Sequence, residues 1–186
     1  TVNSTVRGAP EAILLVESAG DDKLEQQRRL RASSELMAHL GQPECVLEID
    51  DPRLQKDVWH VRKAGLNIPL AMKGDGKPVS FIEDCAVPLE HLAEYTERLN
   101  RVFEKHGTRG TWYAHASVGC LHVRPVLNMR LAEGAEKMRA IAEEACAMVR
   151  EYKGSFSGEH GDGIVRSEFH GEMFGARLVR AFEAVK

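Results

Sequence analysis

The sequence predicts an α+β fold, with an antiparallel sheet and helices packed on one face. Short apolar runs bounded by Gly, Pro and Asp alternate with longer stretches whose apolar residues recur at helical spacing. The predicted order is strand, helix, strand, helix, then strand, helix, strand, strand, helix, loop, helix. Two split units of this kind favour a duplicated ferredoxin-like arrangement.

The first half of the chain is predicted to alternate between strands and helices: a strand over 11–18, a helix over 22–40, a strand over 45–50 and a helix over 51–65. Gly41 and Pro43 end the first helix, because neither residue continues helical backbone well. The second helix has Asp51 as its N-cap and Pro52 in its first turn.

The second half is predicted to contain a strand over 79–87, a helix over 88–107, strands over 111–118 and 120–127 around Gly119, a helix over 131–152, and a last helix within 167–185. Pro88 and Gly107 bound the clearest of these helices. We expect a linker over 1–10 and a single domain over 11–186. The first residues read as a linker without an initiator Met, and we expect the chain to be a fragment of a longer polypeptide.

Composition narrows the classes of function. The 186 residues are 43% hydrophobic, which supports a core without disulfide or metal staples. A net charge of -3 disfavours nucleic acid as a partner. Four cysteines without a Cys-x-x-Cys pair, and no apolar run of membrane-spanning length, predict a cytoplasmic chain. Peripheral contact with the inner membrane and the oligomeric state stay open.

The segment "HASVGCLHVRP" places His115 and His122 seven residues apart. On a helix the two rings would lie about 10.5 Å apart along the axis, too far to share one cation. On one continuous strand they would point to opposite faces. A turn at Gly119 lets them face each other across two adjacent strands. The alternative is that both are ordinary strand residues without a ligand.

The loop "SGEHGDG" places Glu159 and His160 among glycines. Glycine permits a positive φ and a close approach of the backbone to a ligand. The alternative is a flexible turn with solvated acids. With His115 and His122, Glu159 completes the two-imidazole, one-carboxylate set that a catalytic zinc ion uses. His160 is then left as a base beside the metal, able to accept a hydroxyl proton near neutral pH.

Four segments, in order, resemble the C-terminal substrate domain of FAD-linked oxidases: "WHVR", "EDCAVP", "HASVGCLHVRP" and "SGEHGDG". That family includes D-lactate dehydrogenase, glycolate oxidase and D-2-hydroxyglutarate dehydrogenase. The resemblance implies a divalent metal, which we expect to be zinc, on His115, His122 and Glu159. It also implies that His160 removes the hydroxyl proton of a 2-hydroxy acid while C2 delivers a hydride to FAD. Arg62 matches an arginine that pairs with the substrate carboxylate.

This chain departs from the family pattern around the histidines and before "EDCAVP". Val118 and Cys120 flank the glycine where the family has Asp and Asn, and Ile82 replaces a common lysine. Arg124 stands where many members have Asn, and we hypothesise that it replaces the lysine as a carboxylate partner. Cys120 is expected to be a small buried filler rather than a ligand. These changes resemble the branch fused to an iron-sulfur module.

The chain contains neither the family's glycine-rich FAD-phosphate loop nor a Cys-rich run for an iron-sulfur cluster. We therefore expect it to be inactive without an FAD-binding domain of the same polypeptide, which is its expected partner, and an iron-sulfur cluster would lie elsewhere in the full-length protein. Contact with an electron acceptor is a further open expectation. Two other classes remain: a metal-dependent hydrolase with the same ligands, and a non-catalytic metal-binding module.

Overall fold

The computed structural model describes residues 6, 10–42, 44–65 and 71–186. The chain separates into two compact units, Thr1–Gly65 and Leu66–Lys186. Each unit is described by itself below. Among the described residues, no helix combines the length and the apolar character needed to cross a membrane.

The first unit contains helices α1 (Lys23–His39) and α2 (Pro52–Gly65), both within the predicted ranges. The Asp22 carboxylate caps α1 by accepting from the Leu24 backbone N–H at 2.8 Å. Asp51 caps α2 as predicted, accepting from the Arg53 N–H at 2.7 Å. Such caps satisfy N–H groups that have no partner inside the helix. Gly41 follows α1 at φ +81°, whereas the predicted role of Pro43 lies outside the described residues.

The strands predicted over 11–18 and 45–50 are wrong: neither segment is a strand in the structure. The apolar side chains of the first segment are largely exposed, with Leu14 at 78% and Ile13 at 67%. A strand needs a neighbouring strand for its backbone hydrogen bonds. No described residue of this unit forms a β-bridge with either segment. Among the described residues, the first half of the chain therefore contains helices but no strand, and all the strands lie in the second half.

The second unit contains short strands at Lys77–Pro78 (β1), Cys85–Ala86 (β2), Gly110–Thr111 (β3), Ala114–His115 (β4), Cys120–Leu121 (β5) and Arg124–Leu127 (β6). They form two three-stranded sheets with orders β1-β6-β3 and β2-β5-β4, and every pairing is antiparallel. The α+β class is confirmed. The strand predicted over 79–87 narrows to β2, because Asp84 adopts φ +106° just before it.

Helices α3 (Leu92–Lys105) and α4 (Ala132–Glu151) pack on these strands and supply half of the buried core residues. Pro88 precedes a 3-10 turn at Leu89–His91 that leads into α3. Gly107 follows the end of α3 at φ +63°, so the two residues bound this helix as predicted. Buried side chains come from both helices and from the segments that flank the strands: Tyr95, Leu99, Phe103, Ile141, Ala145, Val149, Phe81, Ile82 and Val123. This core supports β4, which contains His115, and β5, which directly precedes His122.

The chain after α4 returns to β2. Ser155 and Ala86 form an antiparallel bridge, with N–H···O distances of 2.8 and 2.9 Å. Phe156 is buried and packs edge-on against Phe169 with ring centroids 5.2 Å apart. The last helical region comprises α5 (Gly163–Arg166), a 3-10 turn at Ser167–Phe169 and α6 (His170–Val185), which kinks at Gly175. The loop "SGEHGDG" is thereby held between β2 and α5.

Candidate active site

The hairpin of β4 and β5 brings the two histidines together. His115 pairs with Cys120 in the register of the hairpin, so His122, two residues further on, projects to the same face. The ring centroids of His115 and His122 lie 5.1 Å apart, nearly perpendicular. Between the strands runs a 3-10 turn, Ala116–Val118, followed by Gly119 at φ +69°. The predicted turn at Gly119, which lets the two rings face each other, is present.

His122 is the most buried of the predicted ligands, with 5% of its surface exposed. Its backbone N–H donates to the Tyr113 carbonyl at 2.6 Å, which fixes the residue across the hairpin. Burial lowers the pKa of His122 below its usual value and outweighs the opposite effect of Glu159 and Glu83. The imidazole is therefore neutral near pH 7, the form that binds metals.

The loop after α4 places Glu159 and His160 against this hairpin. The Glu159 carboxylate reaches to 3.5 Å from Nε2 of His122. His160 stacks on His122, with ring centroids 5.1 Å apart and planes 16° from parallel. Nε2 of His160 lies 3.9 Å from the Glu159 carboxylate. Two segments far apart in the chain thus bring together four residues, His115, His122, Glu159 and His160.

The predicted ligand set has the geometry of a small cation site. One ligand atom from each of His115, His122 and Glu159 lies within 4.8 Å of the others. His115 and Glu159 are exposed and His122 is buried, so the site opens to solvent on one side. Nδ1 of His122 is buried and has no hydrogen-bond partner among the described residues. The nitrogen of His122 that faces Glu159 is Nε2, so a metal shared with Glu159 would bind that nitrogen.

Three overlapping groups of residues also come close enough to hold a metal: Glu83, His122 and His160; Asp84, Cys120 and His122; Asp84, Glu159 and His160. Asp84 is a poor ligand because its carboxylate oxygens already accept several hydrogen bonds. Cys120 is 2% exposed, and burial raises the pKa of its thiol to about 12. A thiol with that pKa stays protonated, which fits the expected filler role.

His160 is oriented by a carboxylate that the sequence did not single out. Its Nδ1 lies 3.1 Å from Oε1 of Glu83, a side chain that is 12% exposed. A carboxylate accepts only, so Nδ1 carries the proton in this contact. The neutral imidazole then has Nε2 as its basic nitrogen, and this nitrogen is on the side of Glu159. The contact with Glu83 therefore leaves Nε2 of His160 as the ring nitrogen that can accept a proton.

Arg124 lies on β6 and is joined to His160 through Glu83. Its Nη2 donates to Oε2 of Glu83 at 2.9 Å, and its Nε donates to the Ser80 hydroxyl at 2.9 Å. The Arg124 side chain is 13% exposed, and Glu83 already balances its charge. A substrate carboxylate at this position would have to share the arginine with Glu83.

Arg62 belongs to the other unit. It lies on α2, and its guanidinium sits over the Trp59 ring, 5.9 Å from the centroid. Arg62 has further interactions within the structure. Its role as a substrate partner stays a prediction.

Sequence reasoning missed the acidic pair Glu83 and Asp84 and the buried Arg166. Asp84 is fully buried, and Nη2 of Arg166 lies 3.7 Å from its carboxylate. Burial alone would raise the pKa of Asp84, but the Ser157 hydroxyl and the N–H groups of His160 and Glu159 hold it below its usual value. The sequence does carry a signal for this acidic pair. Two acids between the apolar residues Ile82 and Cys85 must be paired if the strand is buried.

Comparisons of the sequence with known proteins give the family of the chain. Residues 3–186 match the family described as "FAD linked oxidases, C-terminal domain". The chain belongs to this family. That membership confirms the resemblance of the quoted segments.

Several known proteins are similar to the chain in sequence. A D-2-hydroxyglutarate dehydrogenase of Pantoea ananatis is 31% identical over 92% of the chain and 17% of its own length. A D-lactate dehydrogenase of Anaerostipes hadrus is 28% identical over 94% of the chain and 36% of its own length. The glycolate oxidase subunit GlcD of Bacillus subtilis is 22% identical over 95% of the chain. The chain thus spans less than a fifth of the first relative and about a third of the second.

Proposed function

We propose that this chain is the substrate- and metal-binding domain, residues 11–186, of a flavin-dependent D-2-hydroxy acid dehydrogenase. The observation that carries the proposal is the joining of His115, His122 and Glu159 within 4.8 Å, with His160 stacked on His122. Family membership and relatives that are D-2-hydroxyglutarate and D-lactate dehydrogenases support the class of substrate.

The ligand set is one that a divalent metal uses in catalytic sites. Two imidazoles and one carboxylate leave open positions for a substrate, and zinc is the first metal to test. The exposed side of the site, formed by His115 and Glu159, is where a small hydroxy acid can enter. The buried His122 anchors the opposite side.

His160 acts as the general base in this proposal. Glu83 holds its Nδ1–H, so Nε2 accepts the proton of the substrate hydroxyl. The chemistry supplied by the bound groups is polarisation of the hydroxyl by the metal and acceptance of the C2 hydride by FAD. Arg62 and Arg124 are proposed to bind the substrate carboxylate, since guanidinium matches carboxylate geometry.

FAD is proposed to be bound mainly by another domain of the same polypeptide, which is the chain's principal partner. An iron-sulfur module in the full-length protein is a further part of the proposal. It rests on the departures at Ile82, Val118, Cys120 and Arg124. Iron and sulfide analysis of the full-length protein tests it.

The decisive experiment uses the full-length protein. We expect D-2-hydroxy acids to bleach its flavin under anaerobic conditions, and elemental analysis to find one divalent metal per chain. His122→Ala should lose both metal and turnover while the far-UV circular dichroism is retained. His106→Ala is the matched control, because the His106 ring bonds the carboxylate of Glu144 on α4, at 2.6 Å, and belongs to none of the candidate metal groups. Full activity in His122→Ala would reject the ligand assignment.

The same measurements separate the alternatives. Metal without flavin reduction, together with ester or amide hydrolysis, would favour the metal-dependent hydrolase. Metal with neither flavin reduction nor hydrolysis would favour the non-catalytic metal-binding module.

A further inference from the structure

The carboxylate of Asp84 is the centre of a buried hydrogen-bond cluster beneath the candidate site. Its Oδ1 accepts from the backbone N–H of Glu159 at 2.9 Å, and its Oδ2 accepts from the backbone N–H of His160 at 2.9 Å. The Ser157 hydroxyl donates to Oδ2 at 2.6 Å. The two consecutive N–H groups belong to the proposed ligand and the proposed base. One carboxylate therefore fixes the backbone from which both side chains project.

The backbone of Asp84 extends this connection to the histidine hairpin. Its N–H donates to the Leu121 carbonyl at 2.9 Å, and its carbonyl accepts from the Gly158 N–H at 2.7 Å. Leu121 immediately precedes His122, and Gly158 immediately precedes Glu159. Asp84 is thus bonded on one side to the strand of His122 and on the other to the loop of Glu159 and His160.

Arg166 supplies the counter-ion of this buried carboxylate and also bonds the loop that carries Glu159 and His160. Its side chain is 7% exposed and lies 3.7 Å from Oδ2 of Asp84. It also donates to the Glu83 carbonyl at 2.8 Å and to the Gly161 carbonyl at 2.6 Å. A buried carboxylate needs both a counter-ion and hydrogen-bond donors, and Asp84 has both.

We infer that Asp84 is a positioning residue: its carboxylate sets the distance of the Glu159 and His160 side chains from His122, without touching metal or substrate. The inference rests on the proposed function, because it assigns Asp84 a task for that site. Neighbours of metal ligands that act through hydrogen bonds commonly change metal affinity about 10- to 100-fold when they are replaced.

Asp84→Asn in the full-length protein tests this inference with little change of shape. An amide replaces one acceptor oxygen with an NH₂ group, which cannot accept from an N–H. In either orientation of the amide, the N–H of Glu159 or that of His160 loses its partner. We expect zinc affinity, measured by competition with a chromophoric chelator, to fall about 10- to 100-fold. We expect kcat to fall while KM for the hydroxy acid stays within about twofold.

Hydrogen exchange gives a readout independent of metal and turnover. The amides of Glu159 and His160 should exchange faster in Asp84→Asn, whereas amides of α4 should exchange as in the wild type. Val149→Ala is the control for stability, because Val149 is fully buried in α4. It should lower the melting temperature and leave zinc affinity unchanged. Asp162→Asn is the control for changing an aspartate of the same loop to an amide. Its carboxylate contacts the ring of His170 at 3.0 Å instead of the loop amides.

The outcomes separate this inference from the proposed function. A wild-type protein without zinc affinity would overturn both. Zinc affinity in the wild type that is retained in Asp84→Asn would overturn only the positioning role. If Asp84→Asn does not fold, Ser157→Ala replaces it, since the Ser157 hydroxyl holds Oδ2, the oxygen that also accepts from the His160 N–H, and its loss frees the carboxylate to turn. A drop of a few-fold in zinc affinity then supports the inference, and an unchanged affinity overturns it.

Discussion

The turn between β4 and β5 offers a prediction whose magnitude can be worked from the structure. Gly119 has φ +69° and ψ 14°. A Cβ at this position would lie 2.0 Å from the carbonyl oxygen of Val87. That oxygen is backbone and cannot move alone, because the Val87 N–H donates to the Gly119 carbonyl at 3.1 Å. Gly119→Ala must therefore separate the turn from the segment after β2.

Two effects lower the free energy of unfolding in Gly119→Ala. Left-handed backbone costs an alanine about 1–2 kcal/mol relative to glycine. The contact with Val87 adds about 1–3 kcal/mol, the usual cost of forcing extra atoms into a packed site. We expect a loss of about 3–4 kcal/mol in the free energy of unfolding. For a chain of this size that lowers the melting temperature by about 10 °C.

Gly107→Ala isolates the first of these costs. Gly107 has φ +63°, and the nearest atom to its added Cβ would be Nζ of Lys137 at 3.8 Å. Its backbone is therefore strained similarly, but nothing is displaced, and we expect a loss of about 1 kcal/mol. Thermal unfolding of both variants, followed by circular dichroism under identical conditions, gives the comparison. Equal losses in the two variants would refute the reasoning about the turn.

Three further predictions follow from other parts of the second unit. Arg124→Ala in the full-length protein should raise KM for the hydroxy acid about 10-fold, and steady-state kinetics with an unchanged KM would contradict its role. Partial burial favours the neutral form of Glu144, but bonds from His106 and Lys105 lower its pKa below 4.5. Glu144→Gln should therefore cost about 0.5 kcal/mol at pH 7, and denaturant titrations should show this difference disappearing as the pH falls well below 4.5. Iodoacetamide should modify the exposed Cys45 in the native protein at pH 8 and spare Cys120, as peptide mass spectrometry can check.

The helices could be predicted from the sequence because their signals are local. Asp22 and Asp51 cap α1 and α2 as expected, and the hairpin at Gly119 follows from residue spacing and one glycine. The strands that the sequence predicted over 11–18 and 45–50 have no such local signal, and they are absent from the structure. An apolar run becomes a strand only when another strand pairs with it, and that partner is not encoded in the run itself.

The site was predictable only in part for a similar reason. The residue types of His115, His122 and Glu159 indicate metal chemistry wherever the fold brings them together. The contacts of Glu83 with His160 and Arg124 depend on how the loop docks on the sheet, which a single sequence does not specify. A buried acid is visible in a sequence only when the burial of its neighbours is already known.

The long sequence separation within the Asp84 cluster sets an order of events during folding. Asp84 and the amide that it holds at His160 are 76 residues apart, and all of α4 lies between them. Closing so large a loop costs entropy that local contacts do not repay, so it must follow docking of α4 on the strands. A nascent chain therefore completes its core before it can gather these side chains. Any cation bound there arrives at a domain that is already folded, unlike the metal of a zinc finger, which organises its own fold.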